Sequence, residues 1–230
     1  MAVSRARQQK SIPDPIYRSG PLIDGPEALA MALEALRQRD PDCIATMLAL
    51  SGPPPTRLQT PGLDGLAAII VSQQVSVASA AAILARLRLR FAPLRAAELL
   101  AASDEDLRGC GLSMPKIRTF RALAAAIVHD GLDLAALGSL PAADAHRALV
   151  AVRGIGPWTA DLFLLSCLGH PDAWPAGDLA LQEATRLALK LEARPDARAL
   201  EAIGERWRPH RAVAARLLWS YYRVAKTMRE

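Results

Sequence analysis

The chain has 230 residues, enough for one large domain or two small ones, and either arrangement can bury a sizeable core. Hydrophobic residues make up 51% and aromatic residues only 4%, so we expect a helical protein. No apolar run reaches membrane-spanning length, and no apolar core follows the basic residues near the start, so we expect the protein to be in the cytoplasm. The net charge of +5 suits a polyanionic partner, although many basic proteins have none.

The first part of the chain carries strong start and stop signals for helices. Residues 1–20 are polar and interrupted by prolines, which predicts a loose arm to which we assign no role. A helix is predicted from Pro26 to Arg39. A second helix, opened by Asp40 and Pro41, ends before a run of prolines.

Two further helices flank a pair of glutamines. Apolar residues at helical spacing predict a buried helix over Leu63–Ser72, and Ser76 caps a second helix that runs to about Arg90. Gln73 and Gln74 lie at the junction between them. Amides at such a junction usually hydrogen-bond to the local turn, so this interpretation stands beside any role in binding.

The middle of the chain predicts a short helix followed by a longer basic one. Residues 103–106 have the pattern of a capped helix start, and a glycine-rich turn then leads into a helix from Met114 to about His129. This helix carries three basic residues, Lys116, Arg118 and Arg121. A solvated face and direct phosphate contact explain such a pattern equally well.

A tight turn, Arg153-Gly154-Ile155-Gly156, joins a helix over residues 144–151 to one that opens at Pro157. The two glycines allow backbone angles that other residues resist and remove side chains that would keep a ligand from the amides. With the dipole of the second helix behind them, these amides form an anion site suited to a phosphodiester. An isolated Gly-x-Gly more often only links two helices.

An acidic residue at a helix start follows the hairpin. Asp178 comes after a turn at residues 175–177 and opens a helix to about Leu191, which is an ordinary capping arrangement. Asp172, which precedes this turn, is interpreted as a loop residue. Two later helices are predicted to start at prolines, Pro195 and Pro209.

The string Gly-Ile-Gly-Pro157-Trp158-Thr159-Ala160, followed by Pro-Ala-Gly-Asp178, resembles the helix-hairpin-helix (HhH-GPD) DNA glycosylase superfamily. This form of the hairpin is similar to the 3-methyladenine DNA glycosylase II branch. The resemblance extends over about residues 63–222 and implies an all-α, two-lobed fold with the active-site cleft between the lobes and no N-terminal β domain. One lobe would be residues 66–171, and the other would combine residues 21–65 with 172–230.

The resemblance implies a monofunctional glycosylase that flips alkylated bases, such as 3-methyladenine and 7-methylguanine, out of double-stranded DNA and hydrolyses the N-glycosidic bond. Asp178 would be the catalytic carboxylate, and the protein would act as a monomer. The implied base pocket holds Trp158, Trp219, Leu162 and Leu179. The implied DNA-binding residues are Gly154, Ile155, Gly156, Thr159, Gln73, Gln74, Lys116 and Arg211, with Gln74 filling the gap left by the extruded nucleotide.

Cofactor expectations follow from the cysteines and from the hairpin. The chain has three cysteines, which are far apart, so the sequence offers neither a CxxC zinc pair nor a four-cysteine iron–sulfur cluster of the endonuclease III type. We therefore expect no cofactor in catalysis. The resemblance does imply a monovalent cation, Na⁺ or K⁺, at Gly154 and Gly156.

Two other functions remain open at this point. A non-catalytic hairpin module that only grips DNA would have no need of Asp178. A bifunctional glycosylase and lyase for oxidised or mismatched bases would use a lysine two residues beyond the second hairpin glycine, where this chain has Trp158.

Overall fold

The computed structural model of the chain describes residues 21–228, so the predicted arm over residues 1–20 lies outside it. The described residues contain no strand, which confirms the all-α prediction. No helix among them is long and apolar enough to cross a bilayer. The α-helices are α1 Pro26–Arg39, α2 Pro41–Ser51, α3 Leu63–Ser72, α4 Val77–Arg90, α5 Ala96–Ala101, α6 Asp104–Gly109, α7 Met114–Val128, α8 Ala142–Val150, α9 Pro157–Ser166, α10 Leu179–Ala188, α11 Ala197–Gly204 and α12 Arg211–Thr227.

Local capping signals predicted most helix starts correctly. The predicted bounds of α1 and α3 are confirmed, and Ser76 caps α4 by accepting the amide of Ser79. The predicted starts of the last two helices are each two residues early. At α11 the cap is Asp196, whose carboxylate accepts the amide of Ala199 at 2.7 Å, so the helix begins after the proline turn.

The helices pack in two groups. In one, α3 packs against α4, α7 and α9, while α7 contacts α5 and α6, and α8 contacts α9. In the other, α12 packs against α1, α2 and α10, and α11 contacts α10. These groups hold most of the two segments that the sequence assigns to separate lobes, and the lobe boundaries themselves stay a prediction.

A buried ion pair ties the loop before Asp178 to the start of α12. Asp172 is 2% exposed, and its carboxylate accepts hydrogen bonds from Arg211 Nε at 2.9 Å and from Arg208 at 2.6 Å. The guanidinium of Arg211 also contacts Glu201. Arg211 is 1% exposed, so the prediction that it binds DNA is wrong, because its charge is already paired inside the protein.

The interpretation of Asp172 also needs correction. Asp172 does lie in a turn, as predicted, but its carboxylate is buried and holds two arginines. Removing one partner of a buried pair leaves an uncompensated charge in a poorly solvated place. Asp172 is therefore a structural residue rather than an exposed loop residue.

We predict that Asp172→Asn lowers the free energy of unfolding by about 3 kcal/mol or more, because the amide can no longer balance the buried guanidinium of Arg211. Urea denaturation monitored by circular dichroism measures this loss. The exposed Asp130→Asn is the matched control and should stay within about 0.5 kcal/mol of the unsubstituted protein. A loss below about 1 kcal/mol for Asp172→Asn would contradict the assignment.

Candidate active site

Three donors from three helices converge on the carboxylate of Asp178. As the N-cap of α10, Asp178 accepts the amide of Leu181 on Oδ1 at 2.8 Å. The indole Nε1 of Trp158, from α9, donates to Oδ2 at 2.9 Å, and that of Trp219, from α12, donates to Oδ1 at 3.2 Å. The predicted cap is confirmed, and the same carboxylate is held in a fixed orientation.

This carboxylate lies at an open edge of the protein. Asp178 is half-buried between Gly177, which is exposed, and Leu179, whose exposed fraction is 62%. A carboxylate that is oriented by hydrogen bonds yet open to solvent can face a positive charge developing on a ligand without first rearranging. The arrangement thus suits electrostatic stabilisation of a cation or orientation of a water molecule.

The four residues predicted to form a base pocket lie around this carboxylate. Trp158 and Trp219 contact Asp178 directly, and Leu179 is its neighbour in the chain. Leu162 is half-buried one helical turn beyond Trp158 on α9. The structure therefore brings all four to one region, and their contact with a base stays a prediction.

The two hairpin glycines play different parts. Gly154 has a φ of +92°, and a Cβ there would lie 2.1 Å from Oγ1 of Thr119, so only glycine fits. Gly156 has a φ of −88°, which any residue adopts, and a Cβ there would meet no atom within 4 Å. The expectation of restricted backbone angles is confirmed at Gly154 and wrong at Gly156, where the absence of a side chain instead leaves open space.

That open space adjoins the N-terminus of α9. The helix has no side-chain cap and begins with Pro157, and its first regular hydrogen bond runs from the amide of Ala160 to the carbonyl of Gly156. The first-turn amides of Trp158 and Thr159 precede this bond and have no intrahelical acceptor. These amides and the helix dipole favour an anion in front of Gly156.

Several residues predicted to bind DNA have internal partners. The side chain of Ile155 is 3% exposed, and its amide donates to the carbonyl of Val152 at 3.0 Å. Thr159 is 2% exposed, and its hydroxyl accepts a hydrogen bond from the side-chain amide of Gln73 at 2.7 Å. The structure therefore gives the side chains of Ile155 and Thr159 internal places, and a main-chain contact of the hairpin with DNA stays a prediction.

The basic residues of α7 do not form a single solvated face. Lys116 donates from Nζ to the carbonyls of Val71 and Gln73 at the end of α3, at 2.7 and 2.9 Å, and burial lowers its pKa. Arg121 likewise donates to carbonyls at the end of α5. Of the three basic residues, Arg118 alone is exposed, and the two internal hydrogen bonds of Lys116 count against its predicted phosphate contact, which stays a prediction.

The sequence of the hairpin and of the helices around it has known relatives. Residues 67–209 match the HhH-GPD superfamily of base excision DNA repair proteins. The chain belongs to this superfamily. The predicted superfamily is thus confirmed by a match that spans the hairpin, Asp178 and the helices that hold them.

Individual HhH-GPD relatives are named as DNA repair enzymes, and a Bacillus subtilis relative carries the name "Putative DNA-3-methyladenine glycosylase YfjP". The chain is 40% identical over 114 residues to a Mycobacterium tuberculosis protein named "Probable bifunctional transcriptional activator/DNA repair enzyme AlkA". The aligned segment covers 47% of this chain and 21% of that relative. The matched segment covers less than half the length of this relative and of a Bacillus subtilis relative that is 32% identical.

Solved structures show the same HhH-GPD fold. The crystal structure of a DNA-3-methyladenine glycosidase from Bacillus halodurans superposes with a TM-score of 0.74 at 27% identity, covering 90% of this chain and 94% of that chain. A Schizosaccharomyces pombe 3-methyladenine DNA glycosylase in complex with abasic DNA gives a TM-score of 0.68 at 24% identity, covering 82% and 95%. The predicted fold, without a β domain in the described residues, agrees with both.

A cavity of about 810 Å³ adjoins this HhH-GPD site, and its lining includes Trp158 and Gly177 but not Asp178. Its lining includes Asp161, whose pKa is raised well above the ordinary range by burial and by the nearby carboxylate of Glu201. His146 Nε2 lies 3.6 Å from Asp161 Oδ1, and burial lowers the pKa of His146. Both shifts favour the neutral forms of the two side chains, because burial disfavours their charged forms.

No sequence pattern predicted the contact between Asp161 and His146. One acidic residue on a helix and one histidine on another are common on exposed surfaces, and only the packing of α8 against α9 brings Asp161 and His146 together. Both side chains line the cavity, whose lining includes Trp158 but not Asp178. We therefore assign them to the support of the site and not to its chemistry.

We predict that Gly156→Val leaves the free energy of unfolding within about 1 kcal/mol, because its backbone angles suit a β-branched residue. The same change should weaken binding to undamaged and damaged duplexes by equal factors, since the new side chain stands in front of amides that contact backbone and not bases. Fluorescence anisotropy with both duplexes measures this. A loss confined to damaged DNA would contradict the assignment.

Proposed function

We propose that the protein is a monofunctional DNA glycosylase that hydrolyses the N-glycosidic bond of alkylated bases, of the 3-methyladenine and 7-methylguanine type, in double-stranded DNA. The observation that carries this proposal is the carboxylate of Asp178, held by the indoles of Trp158 and Trp219 beside the hairpin. Membership of the HhH-GPD superfamily and the 3-methyladenine names of matched relatives support the substrate class.

The reaction begins with extrusion of the damaged nucleotide. A base stacked in a duplex cannot present its glycosidic bond, and swinging it out costs a few kcal/mol of stacking. The α9 N-terminus in front of Gly156 would hold a backbone phosphate, and Gln74, exposed at the junction of α3 and α4, would occupy the gap. These contacts offset the cost of extrusion without reading the base.

The charge of the substrate suits the aromatic part of the site. 3-Methyladenine and 7-methylguanine are cationic as nucleosides, and a cation over an indole face is stabilised by about 0.5 to 2 kcal/mol. Trp158 and Trp219 present indoles on either side of the carboxylate. Pocket positions that are often aromatic in this branch are leucines here, Leu162 and Leu179, so we propose a narrower stacking surface.

The chemistry needs one carboxylate. A cationic base leaves with the electron pair of the glycosidic bond and becomes neutral, so no second acid has to protonate it, unlike in most sugar hydrolysis. The Asp178 carboxylate would stabilise the oxocarbenium-like sugar and orient a water molecule that adds to C1′ and releases its proton. The two indole donors would keep the Asp178 carboxylate in one orientation during the reaction.

The turn before α9 also fits the monovalent cation that the superfamily implies. Residues 153–156 carry no carboxylate, so an ion there would be bound by main-chain carbonyls and by the DNA phosphate. Neutral oxygen ligands suit a singly charged ion better than Mg²⁺ or Ca²⁺, which are usually bound with carboxylates. When bound, such an ion would neutralise phosphate charge, and we propose no other cofactor.

We further propose that the protein acts as a monomer in the bacterial cytosol, on nucleoid DNA. The alternative of a non-catalytic module leaves the converging donors on Asp178 without a purpose. The alternative of a glycosylase and lyase needs an amine where the indole of Trp158 is bound to Asp178. Both alternatives are therefore less well supported than a monofunctional enzyme.

We predict that the protein forms no Schiff base with an abasic site, because Trp158 supplies no amine at the hairpin. Incubation with abasic duplex and borohydride should yield no covalent adduct, and the strand should stay intact. A trapped adduct would promote the bifunctional alternative.

We predict that Asp178→Asn slows single-turnover base release by about a hundredfold to a thousandfold, because the charge facing the sugar is lost. Binding to lesion DNA should change little. The amide would also place a donor opposite the indole N–H of Trp158, so the free energy of unfolding should fall by about 1 to 3 kcal/mol. Rates are therefore measured well below the unfolding temperature.

The control for this substitution is Asp161→Asn. Asp161 lines the neighbouring cavity, which Asp178 does not line, and burial raises the pKa of Asp161, which favours the uncharged form that the amide resembles. Its rate should stay within about threefold of the unsubstituted enzyme, which is a small effect beside the loss of a preorganised charge. If Asp178→Asn also turns over within a few-fold, the catalytic assignment is wrong.

A further inference from the structure

The glutamine at the junction of α3 and α4 has an unusual backbone. Gln74 has a φ of +55°, in the left-handed region that residues with a Cβ rarely adopt, and its side chain is exposed. A residue persists in this conformation only when its surroundings impose it. The contacts on each side of Gln74 provide these surroundings.

The first such contact comes from α7. Lys116 Nζ donates to the carbonyls of Val71 and Gln73, at 2.7 and 2.9 Å, and so satisfies the C-terminal end of α3 immediately before Gln74. A lysine at a helix C-terminus is also favoured by the helix dipole. Since two of its three hydrogens are used internally, Lys116 is poorly placed to bind a phosphate.

The second contact comes from α9. The side-chain amide of Gln73 donates to the hydroxyl of Thr159 at 2.7 Å, and Thr159 lies three residues after Gly156, in the first turn of the helix that ends the hairpin. The junction is thus bonded directly to the element that would grip the DNA backbone. This bond joins residues 86 positions apart in the chain.

The same face of α7 also contacts the hairpin turn. Thr119 is one turn beyond Lys116, and it lies so close to Gly154 that a Cβ on the glycine would be 2.1 Å from its hydroxyl. One helix face therefore supports both the α3 end and the hairpin turn. The distance between Gln74 and the hairpin is fixed from two directions.

We propose that Lys116 and Gln73 are positioning residues that hold Gln74 at a fixed offset from the hairpin, so that it enters the duplex where the gripped backbone opens. This inference rests on the proposed function, in which Gln74 fills the gap left by the extruded nucleotide. If the side chain of Gln74 is displaced, the extruded base can return to the stack, which lowers the fraction of complexes that can react. Neither residue needs to contact DNA.

Salt dependence separates positioning from phosphate binding. Each phosphate contact contributes about 0.9 to the slope of log affinity against log salt. Lys116→Met should leave the slope for undamaged duplex unchanged, within about 0.3, if the ammonium makes no phosphate contact. A slope reduced by about 0.9 would assign Lys116 to phosphate binding and overturn the proposal.

Fluorescence tests the insertion of Gln74 directly, on DNA that carries no base to release. A duplex with 2-aminopurine beside a tetrahydrofuran abasic analogue should brighten when the unsubstituted protein binds and inserts Gln74. Lys116→Met and Thr159→Val should each lose most of this increase at saturating protein, as should Gln74→Ala. Thr159→Val keeps the shape of the side chain and changes no charge, so it tests the inference even if Lys116→Met folds poorly.

A double-mutant cycle decides whether Lys116 acts through Gln74. Lys116→Met should slow single-turnover base release by about tenfold or more in the unsubstituted background. In a Gln74→Ala background, Lys116→Met should slow release by less than about twofold, because the inserting side chain is already absent. Equal factors in both backgrounds, or full fluorescence with Lys116→Met and Thr159→Val, would overturn the proposal. If the unsubstituted protein releases no base at all, the proposed glycosylase activity fails, while the fluorescence comparison still tests the positioning.

Discussion

Two indole N–H groups and one main-chain amide meet at the carboxylate of Asp178, and the rest of the site depends on these three hydrogen bonds. They come from α9, α12 and α10, so they join the helix group that carries the hairpin to the group that carries the C-terminal helix. A carboxylate held in this way needs no reorganisation when charge develops beside it. The same bonds fix the position of the indoles on which a cationic base could stack.

The loop that delivers Asp178 is itself held by charge. Asp172 pairs with Arg208 and Arg211, and the amide of Ala212 donates to the carbonyl of Pro171, so the loop before Asp178 is attached to the start of α12. The hairpin is held in a different way, by close packing of Gly154 against Thr119. The site thus combines a carboxylate fixed by three hydrogen bonds with a hairpin fixed by close packing, which is the preorganisation that the proposed extrusion of a nucleotide requires.

Much of the fold follows from local sequence signals, and much of the site does not. A proline predicted α1, a serine cap predicted α4 and apolar spacing predicted α3, because these signals act within a few residues. The hairpin and Asp178 were recognisable because their spacing is short and specific. Lys116 and Arg211 look like exposed DNA-binding cations in the sequence, yet tertiary packing pairs both with acceptors from distant segments and buries Arg211, which no local pattern indicates. The contact of Asp161 with His146 was not predicted for the same reason.

The most direct test of the account is chromatography of the bases released when the purified protein is incubated with methylated duplex DNA, with unmethylated duplex as the control. The account predicts release of 3-methyladenine and 7-methylguanine from the methylated duplex and no base from the control. A protein that binds the methylated duplex yet releases neither base would contradict it.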